Sequence, residues 1–136
     1  MYVKRIAEDN WSGPYSNHIE YTCDNIDQVN AAIRNLNGRN KTEVYFHGDG
    51  KGSFSVGGGK DGRYMAFVTI GVDDEFHNLV DPTKSRDQAE VEIVTGGQAG
   101  LFPPKQCVTL EMALEAARQF ALDGTMSPLL AWEKQG

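Results

Sequence analysis

The sequence predicts an α+β fold, with a single antiparallel-type sheet and two main helices. Three observations predict it. Residues 26–36 and 110–121 carry apolar side chains at helical spacing. Between them lie short alternating or apolar stretches, separated by Gly, Asp and Pro. The order is helix, several strands, helix, rather than the strand–helix alternation of a parallel sheet.

Residues 1–18 read as polar and turn-rich, with Gly13-Pro14 as a break. Residues 18–22 (HIEYT) alternate and predict a first strand. Asp24 or Asn25 caps the first helix, whose apolar face is Ile26, Val29, Ile33 and Leu36. Asn37-Gly38 stops it. Residues 43–47 (EVYFH) form a short strand, followed by a glycine-rich loop at 48–52. Residues 53–56 alternate again. Asp61-Gly62 is a two-residue hairpin signal. With that turn, Lys60 pairs with Arg63, Gly58 with Met65, Val56 with Phe67 and Phe54 with Thr69. Phe54, Val56, Met65 and Phe67 then share a face, and a bulge at the glycines shifts this register.

Residues 64–72 (YMAFVTIGV) are apolar on both faces, which predicts a central strand covered on both sides. Residues 75–80 form a further short strand after the acidic turn Asp73-Asp74. An exposed loop runs from Asp81-Pro82 to Gln88. Residues 89–94 (AEVEIV) place Glu90 and Glu92 opposite Val91 and Ile93. Residues 95–104 read as a Gly/Pro-rich loop. In the second helix Thr109 is the N-cap and Glu111 suits the first turn. Leu110, Ala113, Leu114, Ala117 and Ala121 line one side with Phe120 beside them, and Gly124 ends it. A short apolar segment, Leu129-Leu130-Ala131-Trp132, closes the pattern, and Trp132 is expected to pack between the helix and the sheet.

At 136 residues the chain fits a single domain, 1–136, able to bury a core without metal or disulfide staples. Its net charge of −6 argues against nucleic acid as a direct ligand and suits a basic protein partner. Cys23 and Cys107 are far apart and suggest no disulfide framework, so a reduced, cytoplasmic setting is expected. Residues 1–11 mix Lys4, Arg5, Glu8 and Asp9 into their apolar positions and lack a signal-peptide core. No apolar run reaches the length of a membrane span.

The search for chemistry returns little. A phosphate loop requires Gly-Lys-Ser/Thr, whereas Gly59-Lys60 precedes Asp61 and Phe54 stands where the first glycine belongs. His18, Cys23, His47, His77 and Cys107 lack metal-ligand spacing, so no metal or other cofactor is expected. Cys107 precedes a helix start but has no paired base, and reads as a small packed hydrophobe. Ser53 and Ser55 lack a nucleophile elbow. No catalytic residues are predicted, and the chain reads as a binding protein rather than an enzyme.

Four pieces carry a resemblance when taken in order. They are Gly52-Ser53-Phe54-Ser55-Val56-Gly57-Gly58 leading into the apolar strand, and Val94-Thr95-Gly96-Gly97-Gln98. The helix with Ala113, Ala117, Phe120 and Gly124 follows, then Leu130-Ala131-Trp132-Glu133. Over residues 43–133 the chain resembles the immunity protein family numbered one in bacterial polymorphic toxin systems, often found beside nucleic-acid deaminase toxins. The resemblance implies a non-catalytic α+β inhibitor that binds its cognate toxin and blocks the active site. Gly57, Gly58, Gly96, Gly97 and Trp132 are then expected to serve the fold. Contacts are expected among exposed acidic and aromatic groups: Asp73, Asp74, Glu75, Phe76, Glu90 and Glu92. An acidic inhibitor would be steered to the basic surface that a nucleic-acid-acting toxin needs.

Two other classes remain open at this level. One is a small enzyme or ligand-binding domain using the glycine-rich loops of the sheet. The other is a scaffold subunit. An enzyme is distinguished by convergent polar groups in a concave site, and immunity by an adjacent toxin gene.

Overall fold

The computed structural model describes residues 1–50, 52–71, 73–85 and 87–135. Its elements are β1 (Val3–Glu8), β2 (Trp11–Ser12), β3 (Tyr15–Ser16), β4 (Ile19–Thr22), α1 (Ile26–Arg34), β5 (Glu43–Gly48), β6 (Ser53–Gly58), β7 (Tyr64–Ile70), β8 (Glu75–Val80), β9 (Val91–Thr95), β10 (Gln98–Phe102), α2 (Leu110–Asp123) and β11 (Ala131–Lys134). Seven strands form an antiparallel sheet in the order β11-β8-β7-β6-β5-β1-β4. Two antiparallel ribbons, β2–β3 and β9–β10, stand apart from it. The α+β class is as the sequence predicts, with these ribbons added to the expected single sheet.

Both helices cover one face of the sheet. Asn25 caps α1 in a reciprocal capping box with Gln28, which satisfies two of the unpaired amide groups at the helix start. Val29, Ala32 and Ile33 are its buried face, and Leu36 is buried just beyond its end. Thr109 caps α2 by accepting from the Met112 amide at 3.2 Å. Ala113, Ala116, Ala117, Phe120 and Ala121 face the core. The small alanines let the helix lie close to the sheet, while Phe120 fills the centre. Its ring stacks on Phe54 at 5.7 Å and meets the edge of Tyr2 at 5.4 Å.

Residues paired across strands share a face, and successive residues alternate. On the helix side Val44, Phe46, Phe54, Val56, Ala66, Val68 and Leu79 are each no more than 2% exposed. Burying such side chains contributes roughly 1.5–3 kcal/mol apiece, so this face is the core. Trp132 joins it half-buried, edge-on to Phe54 at 6.5 Å, with its Nε1–H donating to the Ser127 carbonyl at 3.0 Å. Trp132 thus packs against the core as expected, but from edge strand β11 and only half-buried.

Several expectations change. Residues 3–8 are a strand lying inside the sheet between β5 and β4, not a polar turn region. A shift in register between Val3 and Arg5 interrupts the period-two pattern, so buried Val3, Ile6 and Ala7 flank exposed Lys4 and Arg5. The strand at 18–22 is consequently the fourth, and lies at an edge.

The β6–β7 register differs by one residue. Gly58 pairs with Tyr64, Val56 with Ala66 and Phe54 with Val68. The connection spans residues 59–63, closed by the Gly59 amide donating to the Arg63 carbonyl at 2.8 Å. Asp61 and Gly62 lie inside a short 3-10 turn rather than forming a two-residue hairpin. A one-residue slip reverses faces, so Met65 and Phe67 point away from Phe54 and Val56.

Strand β7 is covered fully only on its helix side. Val72, at the end of the predicted strand, and Lys51, in the predicted loop, lie outside the described residues. The expected loop at 95–104 contains strand β10, paired with β9 through the tight turn at Gly96-Gly97. Residues 91–95 belong to that ribbon rather than to the main sheet.

Candidate partner-binding surface

The face of the sheet away from the helices carries Arg5, Tyr45, His47, Ser53, Ser55, Met65, Phe67, Thr69, Phe76 and Asn78, as the strand registers require. The β9–β10 ribbon covers part of it. A buried carboxylate fixes the place where the ribbon lands. Asp9 accepts from the Thr42 amide at 2.8 Å, the Glu43 amide at 3.1 Å, the Trp11 indole at 2.8 Å and the Thr42 hydroxyl. These four donors compensate its desolvation. The Thr42 oxygen in turn accepts from the Gly97 amide at 2.9 Å. Ile93, in β9 itself, is buried.

This seating explains two of the glycines in the ordered motifs. A β-carbon on Gly97 would stand 2.3 Å from the Trp11 ring, and φ there is +78°. A β-carbon on Gly57 would stand 2.2 Å from the Thr95 hydroxyl. Gly57 serves the packing of the β9–β10 ribbon on the sheet, and Gly97 its packing on Trp11 of β2.

Beside the ribbon the face stays open. Met65, Phe67, Phe76, Asn78, Phe102, Gln106 and Gln135 line a groove of about 220 Å³. The Phe67 and Phe76 rings lie 5.8 Å apart, and Phe76 is 44% exposed. Farther along the face Tyr45 stacks on His47 at 6.2 Å. Burial pushes the Tyr45 hydroxyl above its ordinary value, and the neighbouring Glu43 adds to the effect. Burial also raises the Glu43 carboxyl, with Asp9 reinforcing it and a Tyr45 hydrogen bond opposing it. Burial lowers His47, followed by repulsion from Arg5. His47 therefore favours its neutral form, and this stretch is an aromatic, polar surface.

The structure distributes the six sequence-predicted contact residues over three places. Asp73 and Asp74 are exposed in the β7–β8 turn, with Asp74 at φ 51°. Phe76 follows on the open face. Glu75 points to the helix side, where it accepts from Lys134 Nζ at 2.9 Å and lies 3.6 Å from His77. The Lys134 hydrogen bond and charge hold its carboxyl below the usual range. Glu90, just before β9, and Glu92, within it, are both exposed. Glu92 pairs across it with Leu101, which is 65% exposed.

Phe67, Asn78, Phe102, Gln106 and Gln135 were not legible as groove residues. The Asp61-Gly62 register predicts Phe67 on the core face, and the glycines and prolines of residues 95–104 predict loop where Phe102 lies in a strand. Gly96-Gly97 between alternating segments is itself a hairpin signal and points to that ribbon.

Catalytic geometry is sparse. Among the described residues no three His, Cys, Asp or Glu side chains group closely enough to hold a metal ion. Cys23 is buried, and burial raises its thiol above the ordinary value. Among the described residues no helix is long and apolar enough to cross a membrane.

The model of the family described as Immunity protein Imm1 matches the chain over residues 17–134. It extends the resemblance at 43–133 back through β4 and α1. No curated protein and no solved structure matches the chain. The matched span takes in both helices and six of the seven strands of the main sheet. The chain belongs to the Imm1 immunity protein family.

Proposed function

We propose that this protein is a non-enzymatic inhibitor that neutralises one cognate bacterial toxin by binding it. The family match over residues 17–134 is the observation that carries this reading. The open, aromatic half of the sheet supports it, because a binding protein needs a preformed surface and this one has a groove with exposed rings. The proposal extends to the toxin's chemistry. A nucleic-acid deaminase presents a basic surface to phosphates, and a chain of net charge −6 is suited to cover it and exclude substrate from the active site. Inhibition of a toxin that acts on nucleic acid inside the cell requires a cytoplasmic location.

Within this reading Asp73 and Asp74 steer the approach, and Phe76 makes contact from the open face. Glu90 and Glu92 extend the acidic surface onto the ribbon, while Glu75, already bound to Lys134, contributes less charge. The test is co-expression of this chain with the toxin encoded beside it, scored by surviving cells. Protection specific to that toxin is expected, and equal killing with and without the chain contradicts the reading.

A further inference from the structure

The groove beside the ribbon presents an unusual mixture. Its aromatic part is Phe67, Phe76 and Phe102; its polar part is the carboxamides of Asn78, Gln106 and Gln135. Among the described residues, no side-chain hydrogen bond engages those three carboxamides, and none of their polar atoms is buried without a partner. Gln135 is exposed and Asn78 and Gln106 are half-buried, so their polar atoms remain accessible from the groove. Among the described residues no lysine or arginine lines the groove. The nearby Lys105 and Lys134 are paired with Glu133 and Glu75. The turn leading into Phe76 carries exposed Asp73 and Asp74.

We propose that this groove seats a single arginine side chain of the partner toxin, an inference that rests on the toxin-binding reading above. A guanidinium is planar, weakly hydrated and a donor at every nitrogen. It stacks on aromatic faces, and carboxamide oxygens satisfy its edge. The acidic turn favours its entry and disfavours a carboxylate or phosphate. A leucine would fill the apolar part but desolvate the carboxamides without giving them a partner, which is costly. Lysine brings the charge but lacks the plane that stacks between rings. Buried arginines and aromatic rings are also the groups that dominate interface energetics.

The test uses the whole chain, isotope-labelled, and three blocked amino acids: N-acetyl-arginine amide, N-acetyl-lysine amide and N-acetyl-leucine amide. Backbone amide signals are followed through each titration. Arginine is expected to produce saturable shifts at Phe76, Asn78 and Gln106, with lysine weaker and leucine without effect. Phe76→Leu keeps apolar volume but removes the ring, and should weaken arginine binding about two- to fivefold at an unchanged thermal midpoint. Gln135→Ala is the second variant, and should also weaken binding if Phe76→Leu disturbs folding. Absence of saturable shifts with arginine, shifts mapping outside the groove, or equal binding of leucine overturns the proposal. Co-expression of the unaltered chain with its toxin tests the toxin reading separately, so failure of one is distinguishable from failure of the other.

Discussion

Single side chains in this protein divide into those that seat one layer on another and those left facing outward. Trp132 belongs to the first group, since its ring meets Phe54 and its indole nitrogen is satisfied by Ser127. Trp132→Ala should lower stability by about 3 kcal/mol, the low end for a large aromatic because the ring is half-buried. Thermal unfolding and toxin affinity measured on the same sample check this. Affinity of the folded fraction should hold, and normal stability with badly weakened binding would mark Trp132 as an interface anchor instead. Gly97→Ala should also destabilise, by more than about 1 kcal/mol, because the new methyl meets the Trp11 ring at a positive φ. Reduced protection of ribbon amides from hydrogen exchange would locate the damage. Glu43 gives a pH signature. Burial first, and Asp9 second, raise its carboxyl in the folded state. The folded protein therefore prefers Glu43 protonated. That contribution is full below the ordinary carboxylate value of about 4.3 and is lost as pH rises through the folded value. Glu43→Gln should raise stability at pH 7 relative to the unaltered protein, by more than at acidic pH, as measured by denaturant unfolding at both.

At the scale of elements, the β7–β8 turn and the β9–β10 ribbon define the open face. The turn's acidic residues are not equivalent, because Glu75 is bound to Lys134 on the helix side while Asp73 and Asp74 are exposed. Neutralising Asp73 and Asp74 to asparagine should slow association with the toxin at low salt and flatten the salt dependence, since exposed charges act over a Debye length of about 10 Å at 0.1 M. Glu75→Gln should change that rate less and loosen β11, seen as faster amide exchange at residues 131–134. An association rate indifferent to Asp73 and Asp74 would remove the steering role. The same elements show how far sequence reasoning reaches. Helix α2 was legible because its cap, its apolar face and its closing Gly124 agree. Strand β1 was hidden by a bulge that breaks its alternation. The β6–β7 hairpin was found, but its register followed the Asp61-Gly62 signal, whereas the chain places that pair inside a longer loop. That one-residue difference hid the groove, because it decides which way Phe67 points. Its remaining walls come from three separate segments, and their convergence is a tertiary property that no local pattern contains.

The whole molecule joins a one-sided core to a one-sided surface. Two helices take one face of the sheet, and a ribbon held by Asp9, Thr42 and Trp11 takes part of the other. The uncovered remainder is aromatic and polar, on a chain of net charge −6. Such a surface is suited to hold a basic partner through buried anchors, with charge mainly setting the rate of encounter. Under the proposed function this protein inactivates its toxin by direct binding and without turnover. The most direct measurement is titration of the purified protein into a fixed amount of the active toxin, with residual toxin activity followed at each point. The account predicts a linear loss that reaches zero at a fixed molar ratio, with intact toxin recovered from the complex. Full inactivation by a small fraction of an equivalent, or a toxin that emerges chemically altered, would show catalysis and contradict it.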